Sequence, residues 1–164
     1  MHPFIEDVSK HFLRDLDTLS REVALYPDDA SLWAERPGLP NTGGNLALHL
    51  VGNVRHFIGV TLGGTAYVRS RDHEFATREG SRLELAALIA AARADVEAAL
   101  ASLPESKLTE PFPIAVAGVT LPTQRFLLHL ATHFTFHLGQ IDYHRRIVTG
   151  NAQSANTLPF SALA

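Results

Sequence analysis

THFTFHLGQIDYHRR, residues 132–146, decides how this chain is read. On a helical wheel of about 100° per residue, Phe134, His137 and Ile141 share one face, which Phe126, Leu130 and Val148 extend. His133 and His144 lie beside that face and His129 at its edge, while Thr132, Gly139, Asp142 and Arg146 fall on the other side. A face built for burial therefore carries imidazoles. Two histidines four residues apart stand on adjacent turns, within reach of one metal ion. His144 is about 10 Å along the axis from His137, too far to share an ion with it, and the same length prevents His129, His133 and His137 from binding one ion together. The pair is His129 with His133 or His133 with His137, and the wheel favours the second.

Working outward, three more segments have helical periodicity. The first runs from about Pro3 to Leu25, with Ile5, Val8, Phe12, Leu16, Leu19 and Val23 as its stripe. The second starts at Asn41 or Thr42, either of them an N-cap residue type, and runs to Leu62 before Gly63-Gly64. The third opens with Ser81-Arg-Leu-Glu84, a capping box, and carries Leu85, Ile89, Ala92, Val96, Leu100 and Leu103. The histidine-bearing helix begins near Thr120, with Pro122 in its first turn, and stops at Gly150 after Arg145 and Arg146, which suit the negative end of the dipole. Residues 26–40, TAYVRSRDHEFATREG (65–80) and 112–120 read as connections, the last a loop or short hairpin. The expectation is an all-α four-helix bundle spanning 1–164 as a single domain, with Phe12, Leu19, Phe57, Phe126 and Phe134 in its core.

Composition narrows the function classes. Of 164 residues, 46% are hydrophobic and 19% charged, which fits one globular domain. A net charge of −3 with no long basic run argues against nucleic acid. The absence of cysteine removes disulfides, thiolate metal sites and cysteine nucleophiles, and it is compatible with a reducing cytoplasm. MHPFIEDVSK is charged too early for a signal peptide. The longest apolar stretch is interrupted by Arg93, Asp95 and Glu97, so no membrane span is expected. Glu-x-x-His, HExxH, GxSxG, GxGxxG and Walker patterns are all absent.

A third ligand must come from another element. On the second helix, Leu46, His49, Asn53, His56, Phe57 and Val60 share a face. His49 or His56 can complete a three-imidazole site with an open position, the arrangement of catalytic zinc, and the wheel does not separate them. A lone inward histidine is ordinarily a core residue satisfied by a carbonyl, and a chance His-x-x-x-His is not rare among nine histidines. Convergence from a second helix is what raises the metal reading above that. Imidazole ligands suit Zn, Ni, Fe or Cu.

NLALHLVGNVRHF (45–57), followed by HFTFHLGQIDYHRR (133–146), resembles the DinB/YfiT-like superfamily of metal-dependent enzymes. RPGLPNTGG entering the second helix, RDHEF in the loop and HxxxHxGQ on the last helix carry the likeness. The resemblance places the metal triad on His49, His133 and His137. It implies a four-helix bundle, commonly a homodimer, holding one divalent ion per chain, with zinc or nickel preferred. It also implies a small-molecule substrate and, in some relatives, a low-molecular-weight thiol in a transferase reaction. A metal-dependent hydrolase and a non-catalytic metal-binding, stress-related protein are the alternatives. Gln140 and Asn53, each one turn beyond a ligand, are read as supporting the ligands or binding substrate, and helix packing explains them equally well. Asn45 is read as a cap. No acidic residue is placed as a general base. Glu74 is a candidate if its loop folds over the site, although pairing with Arg69, Arg71 or Arg78 is the commoner fate of such a charge. Trp33 and Arg36 either line an entrance or, for Trp33, pack in the core. The outer faces show no clear hydrophobic seam, so the dimer rests on the resemblance alone.

Overall fold

The apolar stripe of the first helix needs a partner, and the last helix supplies one. In the computed structural model, which describes residues 2–156 and 158–164, α1 (Pro3–Ala24) packs along both α5 (Arg82–Ser102) and α6 (Thr123–Thr149). Ile5, Val8, Phe12, Leu16, Leu19 and Val23 are all buried, and Phe12 meets Phe134 edge-on at 6.5 Å. The Ser81–Glu84 capping box forms at the start of α5. Gly150 closes α6 with φ +67°, a left-handed conformation that glycine adopts without a Cβ penalty. Among the described residues no helix is long and apolar enough to cross a membrane.

The central helix α3 (Gly43–Val54) follows α2 (Asp29–Leu32) and is capped by Thr42 in a capping box with Asn45. It is buried on nearly every side rather than along one stripe, with α6, α5 and the short α4 (Arg71–Ala76) packed around it. The RDHEF segment is therefore helical, not an open loop.

Two other expectations need correction. The second long helix is not α-helical to Leu62: at Arg55–Val60 it widens into a π-helix, in which the Thr61 N–H reaches back five residues to the His56 carbonyl. The wider turn changes the angular phase, so the wheel that put His56 and His49 on one face fails beyond Val54. Pro122 caps α6 from outside, and the helix begins at Thr123. Arg145, read only as suiting the helix dipole, is 0% exposed and bonds Glu22, Asp142 and the carbonyls of Asn151 and Gln153.

Residues 112–121 form a hairpin-like loop, with Phe112 N–H bonded to the Leu121 carbonyl and Val116 and Val119 exchanging backbone bonds. Among the described residues these are isolated bridges, not strands. The outer face of α6 carries exposed Leu128, Phe136, Tyr143 and Ile147. Spacings of eight, seven and four residues put them in one row. The inward-facing wheel missed this seam because the four apolar residues are diluted by Thr132, Gly139 and Gln140.

Candidate metal centre

α3 and α6 pack against each other and bring His49, His133 and His137 together, with one ligand atom of each within 4.8 Å of the others. The Nε2 atoms of His49 and His133 are 3.3 Å apart. Two ligands of a tetrahedral ion at about 2.0–2.1 Å are separated by about 3.3–3.4 Å, so this edge of the cluster has the length a divalent ion requires.

Hydrogen bonds set the tautomers of two of the rings. His49 Nδ1 lies 3.0 Å from Glu74 Oε2 and donates to it, which leaves the lone pair on Nε2. Arg69 Nη2 is also 3.2 Å from that nitrogen, but its hydrogen goes to Glu74 Oε2 at 2.8 Å. His137 Nδ1 donates to Gln140 Oε1 at 2.6 Å, again freeing Nε2. His133 Nδ1 is buried without a hydrogen-bond partner. Two Nε2 lone pairs facing each other at 3.3 Å repel unless a proton or a cation lies between them. The donor set fits a divalent metal.

The electrostatics of His133 and His137 favour their neutral forms, as ligation requires. Burial, reinforced by His137, His49 and His129, pushes His133 down to about 4. Burial lowers His137 as well, against the opposing hydrogen bond to Gln140. Burial would raise the Glu74 carboxyl, but the hydrogen bonds from Arg69 and His49 outweigh it and hold the group below its ordinary value. Glu74 is thus an ionised, buried carboxylate with both oxygens occupied, paired with Arg69, the commoner fate of such a charge, rather than free to act as a base.

The remaining histidines and amides separate cleanly. His144 is buried between Tyr26 Oη (2.7 Å) and the Ala34 carbonyl (2.8 Å), a core histidine with both nitrogens satisfied. His56 is only partly buried, packs on Phe57 and lies outside the metal cluster. His129 is exposed and stacks on Phe126. Gln140 touches His137. Asn53 is buried one turn after His49 and is not hydrogen-bonded to any of the three histidines. Asn45 caps α3, as read, and its Nδ2 also donates to the carbonyls of Glu74 and Thr77. Trp33 is partly buried and donates to the Gly80 carbonyl, a packing role. Arg36 is exposed along a surface cleft with Glu35, Asn41 and Arg78.

Sequence reasoning offered Arg69 as a partner of Glu74 but missed that the pair packs behind His49 in the space left by Gly52. A Cβ on Gly52 would overlap Glu74 Oε1. A glycine in a helix interior, three residues after a candidate ligand, was the available clue, since such a glycine costs about 1 kcal/mol relative to alanine.

Gln140, which bonds His137, also lines a cleft of about 140 Å³ with Leu39, Pro40, Asn41, Leu46, Tyr143 and His144. No curated protein and no solved structure matches the chain. A family model described as the DinB superfamily matches residues 11–141, a span that holds α3, α4 and all three clustered histidines, and the chain belongs to that superfamily.

Proposed function

We propose that this chain is a cytoplasmic enzyme with one divalent ion, zinc or nickel, on His49, His133 and His137, and that it transfers a small thiol to a second small molecule. The observation that carries the reading is the convergence of three imidazoles from α3 and α6, two of them with Nε2 lone pairs set by hydrogen bonds to Glu74 and Gln140. An ion held there supplies a Lewis-acid position that lowers the pKa of a thiol or water brought to it.

The residues around the cluster favour a thiol over water. Glu74 is spent on Arg69 and His49, so it does not serve as the base that hydrolysis calls for. A thiol, with an ordinary pKa of about 8.5, is far more acidic than water and needs less help to ionise. Its proton is lost to bulk water, its sulfur bonds to an electrophilic carbon, and the leaving group departs with the electrons of the broken bond. His133 and His137 are only half-buried, so a small molecule reaches them. The cleft beside Gln140 suits an apolar group of the substrate, while Gln140 holds the His137 ring in place. In this reading the chain is a homodimer through the outer row of α6. Gly139 lies within that row with open space around it, so nothing inside the monomer calls for glycine there.

Elemental mass spectrometry of untagged protein, purified without chelator, tests the metal. About one ion per chain, lost in His49→Ala, is expected. No metal on purification and none taken up on titration overturns the centre. A panel of low-molecular-weight thiols with electrophilic acceptors tests the reaction. A metal-loaded protein with no turnover on any of them is a metal-binding protein without this activity.

A further inference from the structure

Asn45, His49 and Gly52 lie at i, i+4 and i+7 on α3, one stripe that faces α4. Each meets the same neighbour. Asn45 Nδ2 holds the Glu74 carbonyl at 2.9 Å and the Thr77 carbonyl at 2.8 Å, while its own Oδ1 accepts from Thr42. His49 meets the Glu74 carboxylate, and Gly52 leaves the space that carboxylate occupies. The Phe75 ring lies 4.9 Å from the His49 ring. A helix of six residues is too short to persist by itself, so α4 owes its place to these contacts. Arg69, on the segment leading into α4, covers both carboxylate oxygens at 2.7 and 2.8 Å. Glu74 thus stays ionised with its charge balanced by Arg69, and it is left only 4% exposed.

We propose that Glu74 is the positioning residue of the metal centre and that the 65–77 segment is a strap built to deliver it to His49. The proposal rests on the metal-centre reading. The carboxylate holds His49 as the Nδ1–H tautomer, fixes its ring rotation and makes Nε2 a better donor. Arg69 keeps Glu74 from becoming a ligand or a base itself. In Glu74→Gln the amide oxygen goes to Arg69 and the amide N–H faces His49 Nδ1, which drives the imidazole proton to Nε2, where it blocks ligation.

Cobalt(II) titration against a competing chelator measures the effect. Glu74→Gln raises the dissociation constant roughly 10–100-fold. Long-range ¹H–¹⁵N spectra of the metal-free protein show the His49 Nδ1–H tautomer in the wild type and its loss in the variant. Gly52→Ala is the second probe. It leaves every charge in place and substitutes a better helix former, yet its Cβ displaces the carboxylate, so it weakens cobalt in the same direction. It also decides the matter if Glu74→Gln does not fold. Wild-type affinity in the folded variants overturns the role of Glu74 alone. A wild type that takes up no cobalt overturns the metal centre and this proposal with it.

Discussion

Glu74 and Glu22 are both buried carboxylates paired with an arginine, one behind His49 and the other between α1 and the C-terminal end of α6. Glu74 has both oxygens bonded by Arg69 and a third partner in His49, and its pKa is held down. Glu22 receives only the Arg145 Nε–H, on Oε2, while Oε1 is buried without a partner, and burial raises its pKa. Arg145 spends its other hydrogens on Asp142 and on backbone carbonyls of residues 151 and 153, pinning the chain after α6 to the bundle. A buried ion pair by itself therefore says little about function. What sets the Glu74 pair apart is that its charge is passed to an imidazole whose other nitrogen enters a cluster of donors.

The comparison can be broken at either end, and the largest effect is expected at Arg145. Arg145→Ala strands Glu22 in the core and releases the 151–153 segment, costing about 3–5 kcal/mol. Denaturant unfolding checks this, and metal stoichiometry at low temperature should stay that of the wild type. A loss of metal with little loss of stability would mean that the two regions are not separate.

The pH dependence comes next. Folded His133 is held down to about 4 from 6.5, chiefly by burial. Between those values the unfolded chain binds more protons than the folded one, so the metal-free protein loses stability as pH falls from about 6.5 to about 4. Glu74, also lowered, adds to that loss below its unfolded pKa, whereas the raised Glu22 acts with the opposite sign. Denaturant unfolding between pH 4 and 7 should show a slope that flattens in His133→Asn. A slope untouched by that substitution removes His133 as its source.

The smallest effect belongs to Gln140. It bonds His137 through one neutral, exposed contact, without the charge that Glu74 brings to His49. Gln140→Ala should weaken cobalt binding less than Glu74→Gln does, at or below the low end of the roughly tenfold to hundredfold range. A larger loss than in the Glu74 variant would invert the ranking of the two supports.

Four helical segments were legible in the sequence; where burial of a single stripe imposes the period, in α1 and α5, the predicted stripes matched residue for residue apart from the only partly buried Leu103, whereas α3 is buried on nearly every side. His133 with His137 was legible for the same reason, since i,i+4 spacing sets neighbours on one helix without help from the fold. The wheel could not choose between His49 and His56. Both are histidines on one apparent face, and the π-helical turn that separates them is a property of the packed bundle. Nor could periodicity reveal Arg145 as fully buried, because charged residues near a helix end ordinarily face water.

The sequence by itself determined the existence of the four long helices, the caps at Ser81 and Gly150, and the pair of imidazoles on the last helix, because these depend on residues within a few positions of one another. Beyond the family resemblance, which already pointed to His49, only the tertiary structure brought His49 to the pair, packed the Glu74–Arg69 pair against its Nδ1 and showed that Gly52 makes the room. Those outcomes depend on which atoms from distant segments come within hydrogen-bonding distance, and local spacing carries no information about that.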